Sequence, residues 1–118
     1  MNNVNLVGRT VEDPADSLKY NTQGTAVCNF TIAVDRNYND ETDFFDVVVW
    51  RKQAENCANY LDKGRLIAVT GELKQERWEN DQGQQRSKVV INGRNVQFLD
   101  YGDSEDNGQD EQDLEVPF

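Results

Sequence analysis

Apolar and polar residues alternate along several stretches of the chain, and a period of two is the pattern of a half-buried β-strand. The clearest stretch begins at Ala26, after which every second residue up to Val34 is apolar. The predicted strands cover residues 3–11, 26–37, 43–50, 65–78 and 85–98. In the fourth of them Ile67, Val69 and Leu73 are predicted to point inward, and Gly71 to mark a bulge or bend.

Only residues 53–61 have the spacing of a helix, with an apolar face made of Ala54, Cys57, Ala58 and Leu61. Gly64 is placed to end this helix, and residues 80–83 form a hairpin turn. An all-β chain of five strands, with one short helix between the third and the fourth, has the element order of an OB-fold, a small Greek-key barrel. The sequence therefore predicts a five-stranded OB-fold over residues 1–100.

The alternation stops after Leu99, and residues 101–118 are acidic and poor in apolar side chains. All twelve basic residues and fifteen of the 22 acidic ones lie in residues 1–100, a balance of −3, whereas the seven remaining acids give residues 101–118 a charge of −7. We expect residues 101–118 to be a disordered acidic C-terminal tail. Because the body is nearly balanced, the formal charge of −10 does not exclude nucleic acid as a ligand.

The reactive residue types argue against catalysis. Histidine is absent, which removes the commonest general base and metal ligand, and no spacing of cysteines or carboxylates resembles a metal site. Cys28 and Cys57 are predicted to be reduced thiols in the core. We therefore expect no enzyme, no metal and no cofactor. The chain has no long apolar run and no signal-peptide pattern near Met1, so we expect a cytoplasmic protein.

Several aromatic residues fall where the predicted barrel does not need them. Phe45, Val47 and Val49 supply the core face of one strand, which leaves the aromatics on its other face without a structural task. The four surplus aromatics are Tyr38, Phe44, Trp50 and Trp78. They lie among a set of cations that comprises Arg9, Arg36, Arg51, Lys52, Lys74, Arg77, Arg86 and Lys88. Rings that stack on bases, together with cations that follow phosphates, are typical of proteins that bind single-stranded nucleic acid.

Three of these aromatics have a structural alternative. Trp50 could form the rim of the core beneath the helix, Phe44 could cover a subunit interface, and Trp78 could pack within its hairpin. The pattern of the sequence leaves these alternatives open.

The last residues of the sequence combine acidity with an apolar end. They are Asp113, Leu114, Glu115, Val116, Pro117 and Phe118. Such a tip, with its carboxylate, suits a basic and apolar pocket on another protein. The alternative is a solvated acidic tail without a partner.

Residues 1–100 resemble the bacterial single-stranded DNA-binding proteins. The matching segments are residues 3–9 (NVNLVGR), 13–14 (DP), 29–34 (NFTIAV), 50–56 (WRKQAEN), 60–64 (YLDKG) and 78–84 (WENDQGQ). The acidic tip, which ends in an aliphatic residue, proline and phenylalanine, resembles the end of that family's chains. Three departures are a shorter, acidic loop at residues 39–41, a brief tail without a long Gly/Gln/Pro-rich linker, and a tip with fewer acids, in which Leu114 and Glu115 replace a solid acidic run.

The resemblance implies a homotetramer of OB-folds that wraps single-stranded DNA without sequence preference during replication, recombination and repair. It places Tyr38, Phe44, Trp50 and Trp78 at positions whose aromatics stack on bases. It also implies that residues 113–118 recruit replication, recombination and repair proteins, and that the protein lies in the cytoplasm with the nucleoid. The alternatives are an OB-fold interaction scaffold whose active part is the tail, and a primosomal or RNA-binding accessory protein.

Overall fold

The computed structural model describes residues 1–99, so the predictions for residues 101–118 lie outside the described residues. The strands are β1 (Val4–Thr10), β2 (Lys19–Tyr20), β3 (Ala26–Asp35), β4 (Thr42–Trp50), β5 (Leu66–Glu79) and β6 (Gln85–Phe98). One α-helix, α1 (Arg51–Tyr60), follows β4, and one 3₁₀ turn covers Pro14–Ser17. All five predicted strands are present, and the two-residue β2 is an addition to them.

The strands close into a ring in the order β1–β5–β6–β4–β3, and β3 pairs again with β1. That last pairing, between Arg9 and Ala33 and between Thr10 and Ile32, closes the barrel. All strand pairs are antiparallel except β4 and β6, which run parallel where Val48 lies opposite Asn92. This is the connectivity of an OB-fold, and the predicted fold class is confirmed.

The barrel interior is filled by the inward faces that the alternation predicted. Its best-buried side chains from the predicted inward faces are Phe30, Ile32, Val47, Val49, Ile67 and Val69. Ile91 of β6, for which no face was predicted, is equally well buried. The predicted apolar face of α1 is also buried, and it packs on this core through Ala54 and Cys57. Cys28 and Cys57 are both free thiols inside the core, as predicted. No helix within residues 1–99 is long and apolar enough to cross a membrane.

The hairpin turn at residues 80–83 is also confirmed. The Asn80 side-chain oxygen accepts hydrogen bonds from the backbone N–H groups of Gln82 and Gln84, at 2.9 Å each. Gly83 has a φ of +77°, which glycine adopts without steric penalty. The sequence of this turn therefore sets the register of β5 against β6.

Two details of the sequence prediction were wrong. Leu73 is 47% exposed, although Ile67 and Val69 of the same strand are buried. Leu73 finds no core to pack against, because β5 and β6 continue together beyond the barrel. Helix α1 ends at Tyr60, four residues before the glycine expected to end it. Gly64 (φ +89°) instead serves the turn into β5, where its N–H donates to the Thr10 carbonyl at 2.8 Å.

Gly71 marks the irregularity that the sequence predicted. The register of β5 against β6 shifts between Thr70 and Gly71, so that Arg94 is passed over. A Cβ atom at Gly71 would collide with the backbone carbonyl of Asn92. The bend there therefore requires glycine. Past the residues of β6 that also pair with β4, β5 and β6 form a two-stranded arm, residues 74–79 with 85–90, called the ribbon below.

Candidate nucleic-acid interface

The four aromatics predicted to be surplus are all exposed. Tyr38 is 77% exposed, Phe44 61%, Trp50 40% and Trp78 46%. None of them contributes to the core cluster of the barrel. Their exposure agrees with the sequence argument that the fold does not need them.

Phe44 and Trp50 lie on one face of β4. This outer face consists of Phe44, Asp46, Val48 and Trp50, while the alternate residues Val47 and Val49 are buried. On β3 it continues beside β4 with Thr31, whose hydroxyl donates to the Asp46 carboxylate at 3.0 Å. The outer face of the barrel therefore carries two exposed aromatics, with polar residues between them.

Trp78 lies on the ribbon, opposite Arg86, and two residues away Glu76 lies opposite Lys88. Lys88 Nζ reaches across to Asp46 Oδ2, at 3.3 Å. An open cleft of about 220 Å³ separates the ribbon from β3 and β4, and Asp46, Glu76 and Lys88 all line it. The tertiary structure thus brings the ribbon that carries Trp78 to the cleft that borders the outer face of β4.

The Trp50 indole has a hydrogen-bond partner that was not among the predicted site residues. Its Nε1–H donates to Asn92 Oδ1 at 3.2 Å, and Asn92 Nδ2 donates to Glu72 Oε2 at 3.5 Å. No local pattern marks Asn92, because its role depends on the pairing of β6 with β4. Only the parallel strand pair brings it beside Trp50.

The chain passes from β4 directly into α1, without a loop. Trp50 is extended (φ −130°), and Arg51 has a φ of +59°, in the left-handed region. A side chain other than glycine costs roughly 1–2 kcal/mol in this conformation. Strain of this kind is common at functional sites. Here it lies at Arg51, a predicted phosphate contact, which stands between the predicted stacking residue Trp50 and a second predicted phosphate contact, Lys52.

Several predicted phosphate contacts already have partners. Arg36 donates to Asp43 at 2.9 Å and to Glu41 at 2.7 Å, and the bonds to Asp43 raise the pKa of the guanidinium. Arg9 donates to the Gly64 carbonyl at 2.9 Å. In these two side chains and in Lys88, the hydrogen-bonding capacity is partly used within the fold. A phosphate would have to compete for them.

The remaining cations are more available. Within the described part of the chain, Arg77 and Arg86 donate only to neutral glutamine side chains, Gln75 at 2.8 Å and Gln84 at 2.9 Å. The side chains of Arg51, Lys52 and Lys74 are exposed, and within residues 1–99 they form no ion pair. Five of the eight predicted cations therefore carry a charge that no ion pair within residues 1–99 neutralises. Arg77 alternates with Trp78 along β5, so it lies on the other face of the ribbon.

Nothing among residues 1–99 gathers three or more metal-ligating side chains into a group that could hold an ion. The closed barrel, its exposed aromatic face and the cation-bearing ribbon together define a small OB-fold binding protein. The chain belongs to the single-strand binding protein family, whose model matches residues 1–99. The prediction that the chain is not an enzyme agrees with this membership, since the family is one of binding proteins.

Relatives from several bacteria carry the same name. The chain is 46% identical over 105 residues to the single-stranded DNA-binding protein of Treponema pallidum. The alignment covers 84% of this chain and 58% of that protein. It is 44% identical over 105 residues to single-stranded DNA-binding protein A of Bacillus subtilis, covering 85% and 60% of the two chains. It is 42% identical over 123 residues to single-stranded DNA-binding protein 2 of Clostridium acetobutylicum. That alignment covers 99% of this chain and 89% of the relative. The chain thus spans less than two thirds of the first two relatives.

Proposed function

We propose that this protein binds single-stranded DNA without sequence preference, by stacking bases on exposed aromatics and neutralising phosphates with nearby cations. The observation that carries the proposal is the placement of Phe44 and Trp50 on one face of β4, with Trp78 on the ribbon that Lys88 ties to that face. Base–aromatic stacking contributes about 1–3 kcal/mol per base and tolerates any sequence, because every base has a π face. The family membership supports the same ligand.

Under this proposal the stacking residues are Tyr38, Phe44, Trp50 and Trp78. Among the cations, Arg51, Lys52, Lys74, Arg77 and Arg86 contact phosphates first, because their charges are not neutralised within the described fold. Arg9, Arg36 and Lys88 join them only where a phosphate displaces an existing partner. Binding then weakens steeply with salt, since each neutralised phosphate releases a counterion.

The proposal extends to the cellular role that the family resemblance implies. The protein coats and protects single-stranded DNA in replication, recombination and repair, as a homotetramer in the cytoplasm and at the nucleoid. Residues 1–100 bind DNA, and residues 101–118 present the tip at residues 113–118 to partner proteins. The mixture of carboxylates, Pro117 and Phe118 supports this last step, because acidic motifs and terminal carboxylates are both recognised handles for peptide capture.

The test of DNA binding is a tryptophan-fluorescence titration with thymidine oligonucleotides of increasing length, at low and high salt. The two tryptophans, Trp50 and Trp78, make the signal specific to the proposed interface. We expect strong quenching that saturates and is reduced by salt. A folded protein that shows no quenching and no gel retention of the oligonucleotides would contradict the proposal and favour a scaffold role.

The tip is tested separately. Removing residues 110–118 is expected to leave oligonucleotide affinity unchanged or slightly raised, because a competing acidic segment is lost. The proteins captured from a bacterial lysate by the full chain are expected to be lost from the truncated chain and from Phe118→Ala. Identical capture by all three proteins would contradict recruitment through the tip and leave the DNA-binding proposal untouched.

A further inference from the structure

The hydrogen bond between Trp50 and Asn92 joins two strands of the proposed interface. Trp50 is the last residue of β4, and Asn92 lies on β6 opposite Val48, the residue two positions before Trp50 on the same outer face. The indole Nε1–H donates to Asn92 Oδ1 at 3.2 Å. An indole has no other polar atom, so this one bond uses its whole hydrogen-bonding capacity.

A second hydrogen bond fixes the orientation of the Asn92 side chain. Asn92 Nδ2 donates to Glu72 Oε2 at 3.5 Å, and Glu72 lies opposite Asn92 on β5. An indole N–H can only donate, and an ionised carboxylate can only accept. The amide of Asn92 suits both partners, because its oxygen accepts from the indole N–H and its NH₂ group donates to the carboxylate. The chain of bonds from Trp50 through Asn92 to Glu72 therefore has a single direction and crosses three strands.

We propose that Asn92 is a positioning residue for base stacking: it holds the Trp50 indole in one orientation and leaves the π face of the ring as the part that a base can contact. This inference rests on the proposed DNA-binding function. Trp50 is 40% exposed, so part of the ring is available while its N–H is engaged. A ring that is already ordered loses less rotamer freedom when DNA binds, which is the general benefit of preorganisation.

Trp78 serves as the internal control for Trp50. Within residues 1–99 its indole N–H has no protein partner, although its exposure is similar to that of Trp50. Phe44, the other aromatic of the outer face, has no N–H to engage. The proposal therefore predicts that a change at Asn92 acts on Trp50 and leaves Trp78 unaffected.

The free protein provides the first measurement, with two single-tryptophan versions. Trp78→Phe leaves Trp50 as the only reporter, and Trp50→Phe leaves Trp78. Asn92→Ala is introduced into each. We expect Asn92→Ala to lower the fluorescence anisotropy of Trp50 and to shift its indole N–H resonance in a ¹H–¹⁵N spectrum, with both signals unchanged for Trp78. An unchanged Trp50 signal would overturn the proposal without any reference to DNA.

DNA binding provides the second measurement, as a double-mutant cycle with a thymidine oligonucleotide. In the Trp78→Phe protein, Asn92→Ala is expected to weaken binding about 2- to 10-fold, the range of one net hydrogen bond. In the Trp50→Phe protein the same change is expected to have almost no effect, because phenylalanine stacks but cannot donate. Equal losses in both backgrounds would mean that Asn92 acts on DNA or on the fold, and would overturn the positioning role.

Two further variants separate packing from hydrogen bonding. Asn92→Leu keeps a side chain of similar size without polar atoms, so it is expected to match Asn92→Ala in binding while keeping the melting temperature. Asn92→Asp keeps the acceptor for Trp50 but sets a carboxylate against Glu72, and Glu72→Gln is expected to restore its binding. Wild-type affinity in Asn92→Leu would refute the positioning role. Failure of the wild-type protein to bind the oligonucleotide would refute the proposed function instead, and the anisotropy measurement would still test the geometry.

Discussion

Lys88 on β6 and Asp46 on β4 form the ion pair that ties the ribbon to the barrel, with Nζ and Oδ2 at 3.3 Å. Both side chains remain about half exposed. At the cleft between the outer face and the ribbon, the Asp46 carboxylate thus binds the Lys88 ammonium group as a phosphate oxygen would. In the proposed function this pair competes with DNA for the lysine.

Asp46→Asn is therefore expected to tighten binding of a thymidine oligonucleotide. The change frees Lys88 and removes a negative charge from the cleft. Each additional phosphate contact is expected to steepen the slope of log affinity against log salt by about 0.7. Fluorescence titrations at several salt concentrations measure both effects.

The matched control is Asp62→Asn, which breaks another exposed ion pair, Asp62 with Arg65 at 2.7 Å. Either change is expected to alter the free energy of unfolding by less than about 1 kcal/mol, because exposed ion pairs contribute little. Equal affinity in Asp46→Asn and wild type would show that Lys88 takes no part in binding.

Trp78→Ala is expected to weaken oligonucleotide binding by about 1–3 kcal/mol, the contribution of one stacked base. Its melting temperature is expected to stay close to that of the wild type, because the ring is 46% exposed on the ribbon. Tyr60→Ala is the control, since Tyr60 is a 66% exposed aromatic at the end of α1 and outside the proposed interface. A Trp78→Ala protein that fails to fold would favour the alternative in which Trp78 packs the hairpin.

Arg51→Gly is expected to raise the free energy of unfolding by about 1 kcal/mol, because glycine adopts a positive φ without the steric penalty of a side chain. Lys52→Gly, at the next position of α1, is expected to lower it instead. The loss should be smaller than the roughly 1 kcal/mol that glycine costs in a helix interior, because Lys52 lies in the first turn. Urea denaturation of the two variants measures this difference in sign. Destabilisation by both would show that no strain is stored at residue 51.

The Arg36–Asp43 pair makes stability depend on pH. The hydrogen bonds from Arg36 lower the pKa of the Asp43 carboxyl below its ordinary value of 3.8. A carboxyl with a lowered pKa in the folded state contributes stability that is complete above the unfolded pKa, and this stability is lost as pH falls through the folded value. Thermal melts of the wild type are therefore expected to lose stability below about pH 4.

Asp43→Asn isolates this contribution. Its melting temperature is expected to change less than that of the wild type between pH 5 and the acid range, on the order of pH 2–3. Glu41 also contacts Arg36, at 2.7 Å, so Glu41→Gln is the matched control. An identical acid dependence in Asp43→Asn and wild type would exclude this pair as its source.

The two cysteines are expected to be inert in the folded protein. Burial raises the pKa of the Cys57 thiol to about 12, and burial also raises the pKa of Cys28. Since the thiolate is the reactive form, a disulfide reagent is expected to label neither residue in native protein at neutral pH. Both are expected to react in denaturant. Rapid labelling of native protein would show that α1 opens from the core.

Most of the fold could be predicted from local patterns. The alternation in residues 26–34 placed Phe30 and Ile32 in the core, and the helical spacing placed Ala54 and Cys57 on the buried face of α1. The turn beginning at Asn80 was predictable because its side chain bonds to its own backbone neighbours. Interactions between residues a few positions apart can be predicted from the local sequence.

Predictions that depended on distant segments fared less well. Leu73 has the correct period for an inward residue, but period does not tell how far a strand extends past its core. The availability of cations could not be judged either, because Arg9 meets the Gly64 carbonyl and Lys88 meets Asp46 only in the folded barrel. The contact of Asn92 with Trp50 could not be predicted for the same reason, since it depends on the pairing of β4 with β6.

The sequence by itself determined which face of β3, β4 and α1 is apolar, where the β5–β6 hairpin turns and which aromatics are left over, because side-chain direction and turn chemistry are properties of neighbouring residues. The tertiary structure alone decided that β4 and β6 pair in parallel, that Trp50 meets Asn92, and that Lys88 crosses to Asp46. These contacts join residues about forty positions apart, and their partners are chosen by closure of the barrel. Barrel closure is a property of the whole chain, so no local pattern encodes it.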